Sequence, residues 1–532
     1  MKTIIYNVKI ADGTGTPVFP GAVLICDDKI SQIIPNNNQT TWRSKVDRAI
    51  DGHQKVLSPG FIDTHSHSDL KVLSDPHLLP KLHQGITTEV LGQDGVSMAP
   101  LPKQFISPWK KNLAGLDGAD DKLDWSYQTV DHYLNLIQAS HPSLNEAYLL
   151  PHGNVRMEAM GLDNRSAETH DIEKMCDIVA SGMQDGCFGL SSGLIYMPCA
   201  YGKTEELIEM CKVVNQYSGV FVVHQRSEAD AILDSMDEII RIGRESGVPI
   251  HFSHFKVCGK KNWKYLDGMI NKLEEAEAEG IDITFDQYPY VAGSTMLSVI
   301  LPPWAHDGGT EKLLQRLQDS DLRQKMKVDI HNGISGWDNF IDFAGTGGIY
   351  ITSTVSEKNQ DVVGLSLDEL GEKWNEDPLD AAFDLLVEER NAVGMVDFYG
   401  TEDHIKRLIQ RPEMNLCTDG LLSGTPHPRV YGAFPRFLGK YVRKEKILSL
   451  EDAVRKITGK AADSLKIPKR GYIREGYKAD LVLFDPDTII DKSTYTNPRQ
   501  YPSGIDMVMV NGVIALFEGK EENAFHGEVL RK

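Results

Sequence analysis

Ser58-Pro-Gly-Phe-Ile-Asp-Thr-His65-Ser-His67-Ser-Asp69 places two histidines two residues apart at the end of an apolar, strand-like run. Alternate side chains of a strand share a face, so His65 and His67 are able to converge on one ion. A metal-dependent enzyme is the leading reading. Taken alone, a His-x-His pair is weak evidence, because two such residues serve equally well on a solvated surface. The rest of the chain shifts the balance.

Outward from this stretch, strand-like runs alternate with helix-like ones, the pattern of repeated βα units around a parallel sheet. Eight barrel strands are expected, at 56–62, 87–91, 147–150, 189–192, 220–223, 249–253, 283–286 and 415–417, with helical spacing at 171–184 and 229–245. The gap between the last two strands exceeds any simple crossover. An inserted subdomain is therefore expected at about 290–400, where turn signals gather around Gly308-Gly309 and Gly345-Gly348. Insertions at the catalytic face of a barrel commonly form a lid or a pocket wall, and Leu301-Pro-Pro-Trp304 would suit an apolar wall. Residues 1–57 and 468–532 both read as short strands with turns, each too small to close a core. Paired, they would make one β-sandwich domain from both termini. The expected fold class is α/β: a TIM-like (β/α)8 barrel over 58–467, with that sandwich and the insertion.

Composition narrows the partners. A 532-residue chain with 41% hydrophobic and 25% charged residues has ample length for a large core. The formal charge of -20 argues against nucleic acid or an anionic membrane as the main partner, since both demand a positive surface. The amino terminus carries no signal-peptide pattern, and no apolar run reaches membrane-spanning length, so a cytoplasmic location is expected. Seven scattered cysteines without a Cys-x-x-Cys pair read as reduced, mostly buried thiols.

Five further potential ligands follow or end expected strands, where a barrel gathers its chemistry. Asp94 sits between Gly92 and Gly95; His224 ends Val220-Phe-Val-Val; His251-Phe-Ser-His254-Phe-Lys256 ends another strand; Asp419 ends Asn415-Leu-Cys-Thr. Each alone would be read as structural, an Asp-Gly as a turn and a lone histidine as internally hydrogen-bonded. Chance is a poor explanation for all of them together.

These stretches resemble the amidohydrolase superfamily and, within it, the D-aminoacylase (N-acyl-D-amino-acid deacylase) family. The likeness rests on Pro59-Gly-Phe-Ile-Asp-Thr-His-Ser-His67, Gly189-Leu-Ser-Ser-Gly-Leu-Ile-Tyr-Met-Pro198, Ser253-His-Phe-Lys256, Asp286-Gln-Tyr-Pro-Tyr290, Thr418-Asp-Gly420 and Pro426-His-Pro-Arg429. It spans nearly the whole chain. One departure matters chemically: the family's usual zinc-binding cysteine after strand 2 is Asp94 here. A carboxylate is a harder ligand with two oxygens, able to bridge two ions and tolerant of other divalent metals. Many amidohydrolases bridge their metals through a modified lysine on strand 4, yet residues 189–194 contain none. The resemblance thus implies one ion at His224, His254 and Asp94, and a second at His65, His67, Asp94 and Asp419, with zinc as the leading candidate.

Zinc acidifies a bound water to a pKa of about 7 and polarises a carbonyl, which supplies both halves of amide hydrolysis. Asp419 is then the proton shuttle from the attacking water to the leaving nitrogen. By position in the motifs, Lys256, Tyr288, Ser294 and Arg429 match residues that hold the α-carboxylate of the family's substrates. Arginine suits a bidentate carboxylate contact, and lysine adds a point charge. Arg226, His251, Glu228 and His152 lie near the same strand ends and are read as supporting groups. The expected partner is a small-molecule N-acyl amino acid or related amide; self-association is open, though no segment demands it. The rivals are hydrolysis of a cyclic amide, a dipeptide or an N-acyl-L-amino acid, and a non-catalytic barrel scaffold, which should have lost ligands this chain keeps.

Overall fold

The computed structural model describes residues 1–35, 46–116, 118, 123, 125–522 and 525–532. Eight parallel strands surround the centre: β1 (Phe61–Asp63), β2 (Ile86–Leu91), β3 (Asn145–Tyr148), β4 (Gly189–Gly193), β5 (Val220–His224), β6 (Ile250–Phe252), β7 (Ile283–Gln287) and β8 (Met414–Leu416). Their ladders run in two arcs, β1-β2-β3 and β4 through β8. The arcs meet where the chain continues from β3 through Leu149 into Leu150–Pro151, which pairs with β4. They meet again where Gly420–Leu421 pairs in parallel with Ser66–His67. That second junction carries the end of β8, with Asp419, against the two histidines that follow β1. β5 is buried at every position, which explains its unbroken apolar run of Val-Phe-Val-Val.

The first strand is shorter than the 56–62 run expected of it. Val56–Pro59 belongs instead to a sheet built from the chain ends, pairing in parallel with Lys2–Ile10 and antiparallel with Leu481–Phe484. Pro59 has no N–H to donate to a ladder. At Gly60, a Cβ would fall 2.0 Å from Thr87 Oγ1, so only glycine lets the chain pass β2 into the barrel. One apolar run therefore serves two sheets.

The sheet from the chain ends has nine strands: Lys520–Glu521, Val513–Phe517, Ile505–Val510, Leu481–Phe484, Val56–Pro59, Lys2–Ile10, Phe19–Cys26 and Lys29–Pro35 in order, with Arg48–Asp51 beside Lys2–Ile10. Ile5, Val8, Ile10, Val23, Leu481, Leu483 and Met509 form a core on it. Each such side chain contributes roughly 1.5–3 kcal/mol by burial.

Between β7 and β8 lies the insertion. It is a three-stranded antiparallel sheet of Gly293–Met296, Gly394–Asp397 and Ile349–Ser353, in that spatial order. Helices Thr310–Leu317, Ser320–Asn332, Leu367–Trp374 and Pro378–Glu388 pack on it. Leu297, Leu313, Met326, Leu370, Phe383 and Met395 give it a core of its own. Among the described residues, no helix is long and apolar enough to cross a membrane.

Candidate metal centre

At the carboxyl ends of the barrel strands, the six expected ligands converge and are almost wholly buried. His65 Nε2 and His67 Nε2 lie 3.3 Å apart. Asp419 Oδ1 is 3.7 Å from the first and 3.4 Å from the second. Asp94 Oδ2 is 3.6 Å from both. On the other side, Asp94 Oδ1 is 3.6 Å from His254 Nε2, whose neighbour His224 Nδ1 is 2.9 Å from that same nitrogen. Asp94 thus turns one oxygen to the His65/His67 pair and the other to His254, while His224 sits with His254 and Glu228, whose Oε2 is 3.9 Å from His224 Nε2.

These separations test whether an ion fits. A tetrahedral ion with bonds of about 2.0–2.1 Å spaces its ligands about 3.3–3.4 Å apart. The His65 and His67 nitrogens fall close to that spacing from each other and from the nearest Asp94 and Asp419 oxygens. Asp94 Oδ1 is a buried carboxylate oxygen with no hydrogen-bond partner, a costly arrangement unless a cation satisfies it. The donor set of imidazoles and carboxylates suits zinc and harder divalent ions alike.

Backbone geometry shows what the site costs. Asp94 (φ 54°), His254 (φ 33°) and Asp419 (φ 46°) all occupy the left-handed region. Such conformations cost on the order of 1–3 kcal/mol each and persist only where surroundings over-determine them. Here the surroundings do. Ser191 of β4 donates to Gly92 O and accepts from Gly95 N, at 2.5 and 3.1 Å, clamping the loop that carries Asp94. The backbone N–H of His254 donates to Asp286 Oδ1 at 2.6 Å. Asp419 N donates to His65 O at 2.8 Å, the contact that joins β8 to β1.

Beneath the ligands is a buried ionic cluster that sequence reading did not anticipate. Lys81 Nζ, fully buried, donates to Asp63 Oδ2 (2.6 Å), Ser66 Oγ (2.7 Å) and Thr418 Oγ1 (2.7 Å), with Glu89 Oε2 at 3.2 Å. Ser66 lies between the two histidines and Thr418 precedes Asp419. Lys81 therefore ties both ligand segments to one charge.

The electrostatics are those of a carboxylate-rich cage. Burial works against charge on His67, yet its hydrogen bonds to Asp419 and Asp94 raise it to about 10. His254 is opposed by burial and Lys256 but raised to about 9 by Glu228 and Asp94. Burial pushes His224 down to about 4. Burial would raise Asp94, but His65 and His254 outweigh it and hold the carboxyl well below its usual range. Asp419 is likewise lowered against burial, chiefly by Arg429.

The expected carboxylate-binding residues gather beside this cage. Lys256 Nζ lies 2.6 Å from Glu228 Oε2 and 6.0 Å from the centroid of the Tyr288 ring. Arg429 is fully buried, stacks 4.4 Å over Tyr288, and its Nη1 is 2.9 Å from Asp419 Oδ2. That contact is an ion pair without hydrogen-bond alignment, so Nε and Nη1 keep unused donors. Ser294 Oγ donates to Met395 O at 2.8 Å. His152, Arg226 and His251, read as supporting groups, form internal contacts with Ser192 and Glu206, with Glu238, and with Thr284 and Asp286. Glu228 does more than was expected of it, accepting from His254 Nδ1 (3.2 Å) and from Lys256. Its spacing four residues after His224 was the available signal. Next to the ligand pocket, sharing Tyr196 and Phe340 with it, is a cavity of about 680 Å³ whose walls include Leu301 and Trp304.

The sequence model of the amidohydrolase family matches residues 48–516. The chain belongs to the amidohydrolase family. Within it, the D-aminoacylase of Alcaligenes xylosoxydans xylosoxydans is 32% identical over 520 residues, 98% of this chain and 94% of that one. The N-acyl-D-glutamate deacylase of the same organism is 30% identical, covering 98% of this chain and 95% of its own length. Among solved amidohydrolase structures, N-acyl-D-glutamate deacylase from Bordetella bronchiseptica, complexed with zinc and a phosphonate mimic of the tetrahedral intermediate, superposes with a TM-score of 0.84. It is 29% identical, with 100% of this chain and 99% of that one covered. A D-aminoacylase described by its binuclear metal centre gives the same TM-score at 31% identity, with the same coverage. This amidohydrolase is thus a member of the D-aminoacylase branch.

Proposed function

We propose that the protein hydrolyses the amide bond of N-acyl-D-amino acids, releasing a free amino acid and a carboxylate, at a centre of one or two divalent ions, with zinc as the leading candidate. The observation that carries this reading is Asp94, whose Oδ2 lies 3.6 Å from both His65 and His67 while its Oδ1 lies 3.6 Å from His254. His224, His254 and Asp94 would hold one ion, and His65, His67, Asp94 and Asp419 the other. Bound there, such an ion supplies Lewis acidity, polarising the amide carbonyl and acidifying a water.

The chain's own groups do the rest. Asp419 is the base and then the acid: it accepts the water's proton and returns one to the leaving nitrogen. Its carboxyl is held ionised by Arg429 and the histidines, so it is ready to accept. Lys256, Tyr288, Ser294 and Arg429 hold the substrate carboxylate, the unused Nε and Nη1 donors of Arg429 supporting that role. Glu228 joins the two tasks, since one carboxylate orients both His254 and Lys256. The large cavity would take an apolar portion of the substrate beyond Tyr196. Seven unpaired thiols support a reducing, cytoplasmic setting.

The test is metal analysis of the active protein together with release of free amino acid from N-acetyl-D- and N-acetyl-L-amino acids. Bound divalent metal with turnover of the D series is expected. Active protein without metal, or turnover confined to the L series, would overturn the reading.

A further inference from the structure

Asp397 ends the middle strand of the insertion sheet, opposite Gly293 in its antiparallel register. The residue is 2% exposed, and its carboxyl lines the same pocket as His67, Asp94, Lys256 and Ser294. Its Oδ2 has no hydrogen-bond partner. Gly293 makes room for it, since a Cβ there would lie 3.0 Å from Asp397 Oδ1. Lys256, the cation lining the pocket, is held by Glu228 at 2.6 Å, and Arg429 beside it is ion-paired with Asp419 at 2.9 Å. An acid group with a free oxygen therefore stands where the substrate carboxylate is read to bind.

An ionised Asp397 would repel that carboxylate. A protonated one would donate to it, and an O–H donor to a carboxylate oxygen makes a short, strong hydrogen bond. The groups facing Asp397 are Lys256 and Cys258 after β6, Glu228 after β5, Arg429 at the start of helix Arg429–Arg436, Tyr495 from the carboxyl-terminal segment, and the Tyr288 and Tyr399 rings near Gly293. Burial dominates over the two cations, and the carboxyl is pushed up to about 7. Both protonation states are thus accessible near neutrality.

We propose that Asp397 is a substrate-binding residue that meets the substrate carboxylate as a carboxylic acid, its O–H donating to a carboxylate oxygen, so that substrate binding retains or takes up a proton. No bond to carbon is made or broken in this step. The proposal rests on the carboxylate-binding reading of the pocket. It goes further in making affinity, rather than chemistry, the quantity that falls with alkalinity.

The experiment is KM and kcat between pH 6 and pH 9 for the metal-loaded wild type, Asp397→Asn and Asp397→Ala, with an accepted N-acetyl-D-amino acid and its α-carboxamide. For the wild type, KM should climb above neutrality toward about tenfold per pH unit, the limiting slope for one proton, while kcat changes little. Asp397→Asn keeps a weaker neutral donor: KM should be a few-fold higher at pH 6 yet lose the alkaline climb. Asp397→Ala should raise KM at pH 6 by about tenfold. The carboxamide should show no climb with any of the three. A wild-type KM that stays flat, or a climb that persists in Asp397→Asn, overturns the role of Asp397 while leaving the hydrolase reading intact. Protein that holds no metal or cleaves no N-acyl amino acid overturns both.

Discussion

Replacing Lys81 by Met tests the buried support of the metal centre directly. The substitution keeps an unbranched side chain one atom shorter and removes its charge and its donors. Asp63 loses a 2.6 Å contact, Ser66 and Thr418 each lose one of 2.7 Å, and Glu89 loses its neighbour at 3.2 Å. All four partners are inaccessible to solvent, so water cannot replace the lost donors. Breaking a buried ion pair by removing one partner costs about 3–5 kcal/mol, because the other charge is left uncompensated. Two carboxylates are left here, which places the expected loss at the upper end, about 4–5 kcal/mol. Denaturant unfolding of wild type and variant measures it as a fall in midpoint at constant slope. Metal content should fall too, because Lys81 ties Ser66, between two ligands, to Thr418, next to a third. The double variant Lys81→Met/Asp63→Asn should recover part of the stability, since it removes one of the stranded charges. A loss below about 1 kcal/mol with full metal content would refute the argument, and would mean that the cluster relaxes by proton uptake.

Asp419→Asn should leave metal bound but lower kcat by about 10²–10⁴-fold, the usual worth of a general acid–base group, and near-normal turnover would exclude the shuttle role. Gly193→Ala places a Cβ 2.3 Å from Asp94 O, so the Asp94 loop must shift; metal affinity measured by competition with a chelator dye should drop about 10–100-fold. Prolonged dialysis against a chelator should abolish turnover and lower the melting temperature, both restored by added zinc, because the ion binds only the folded state. Burial holds His306 down to about 4, so the unfolded chain takes up a proton that the folded protein refuses. Stability should therefore fall as pH drops from about 6.5 to about 4, by about 1.4 kcal/mol per unit from this residue, and then level off. His306→Gln should lack that share when unfolding is followed across the same pH range.

Most of the candidate metal centre was legible in the chain because each proposed ligand is a local signal. His65, His67, His224, His254 and Asp419 all stand at the carboxyl ends of short apolar runs, and the alternation of a strand dictates which side chains face together. Asp94 was legible from its two glycines, which mark a loop where the backbone must turn sharply. The first barrel strand was misjudged because 56–62 has an apolar pair at each end around Ser58-Pro59-Gly60, and periodicity does not reveal which of two sheets claims each half. The break at Pro59-Gly60 depends on Thr87, a residue distant in sequence.

The sequence by itself determined the candidate donor types, their order along the chain and the alternating architecture that brings strand ends together. Only the tertiary structure decided that Asp94 divides its oxygens between the His65/His67 pair and His254, that Lys81 reaches Thr418, 337 positions along the chain, and that Asp397 faces the pocket across Gly293. The physical reason is range. Strand alternation, turn chemistry and apolar patterning act over a few residues and are written locally. The direction of a carboxylate oxygen and the partner of a buried charge depend instead on which distant segments the closing barrel brings within a hydrogen bond of one another.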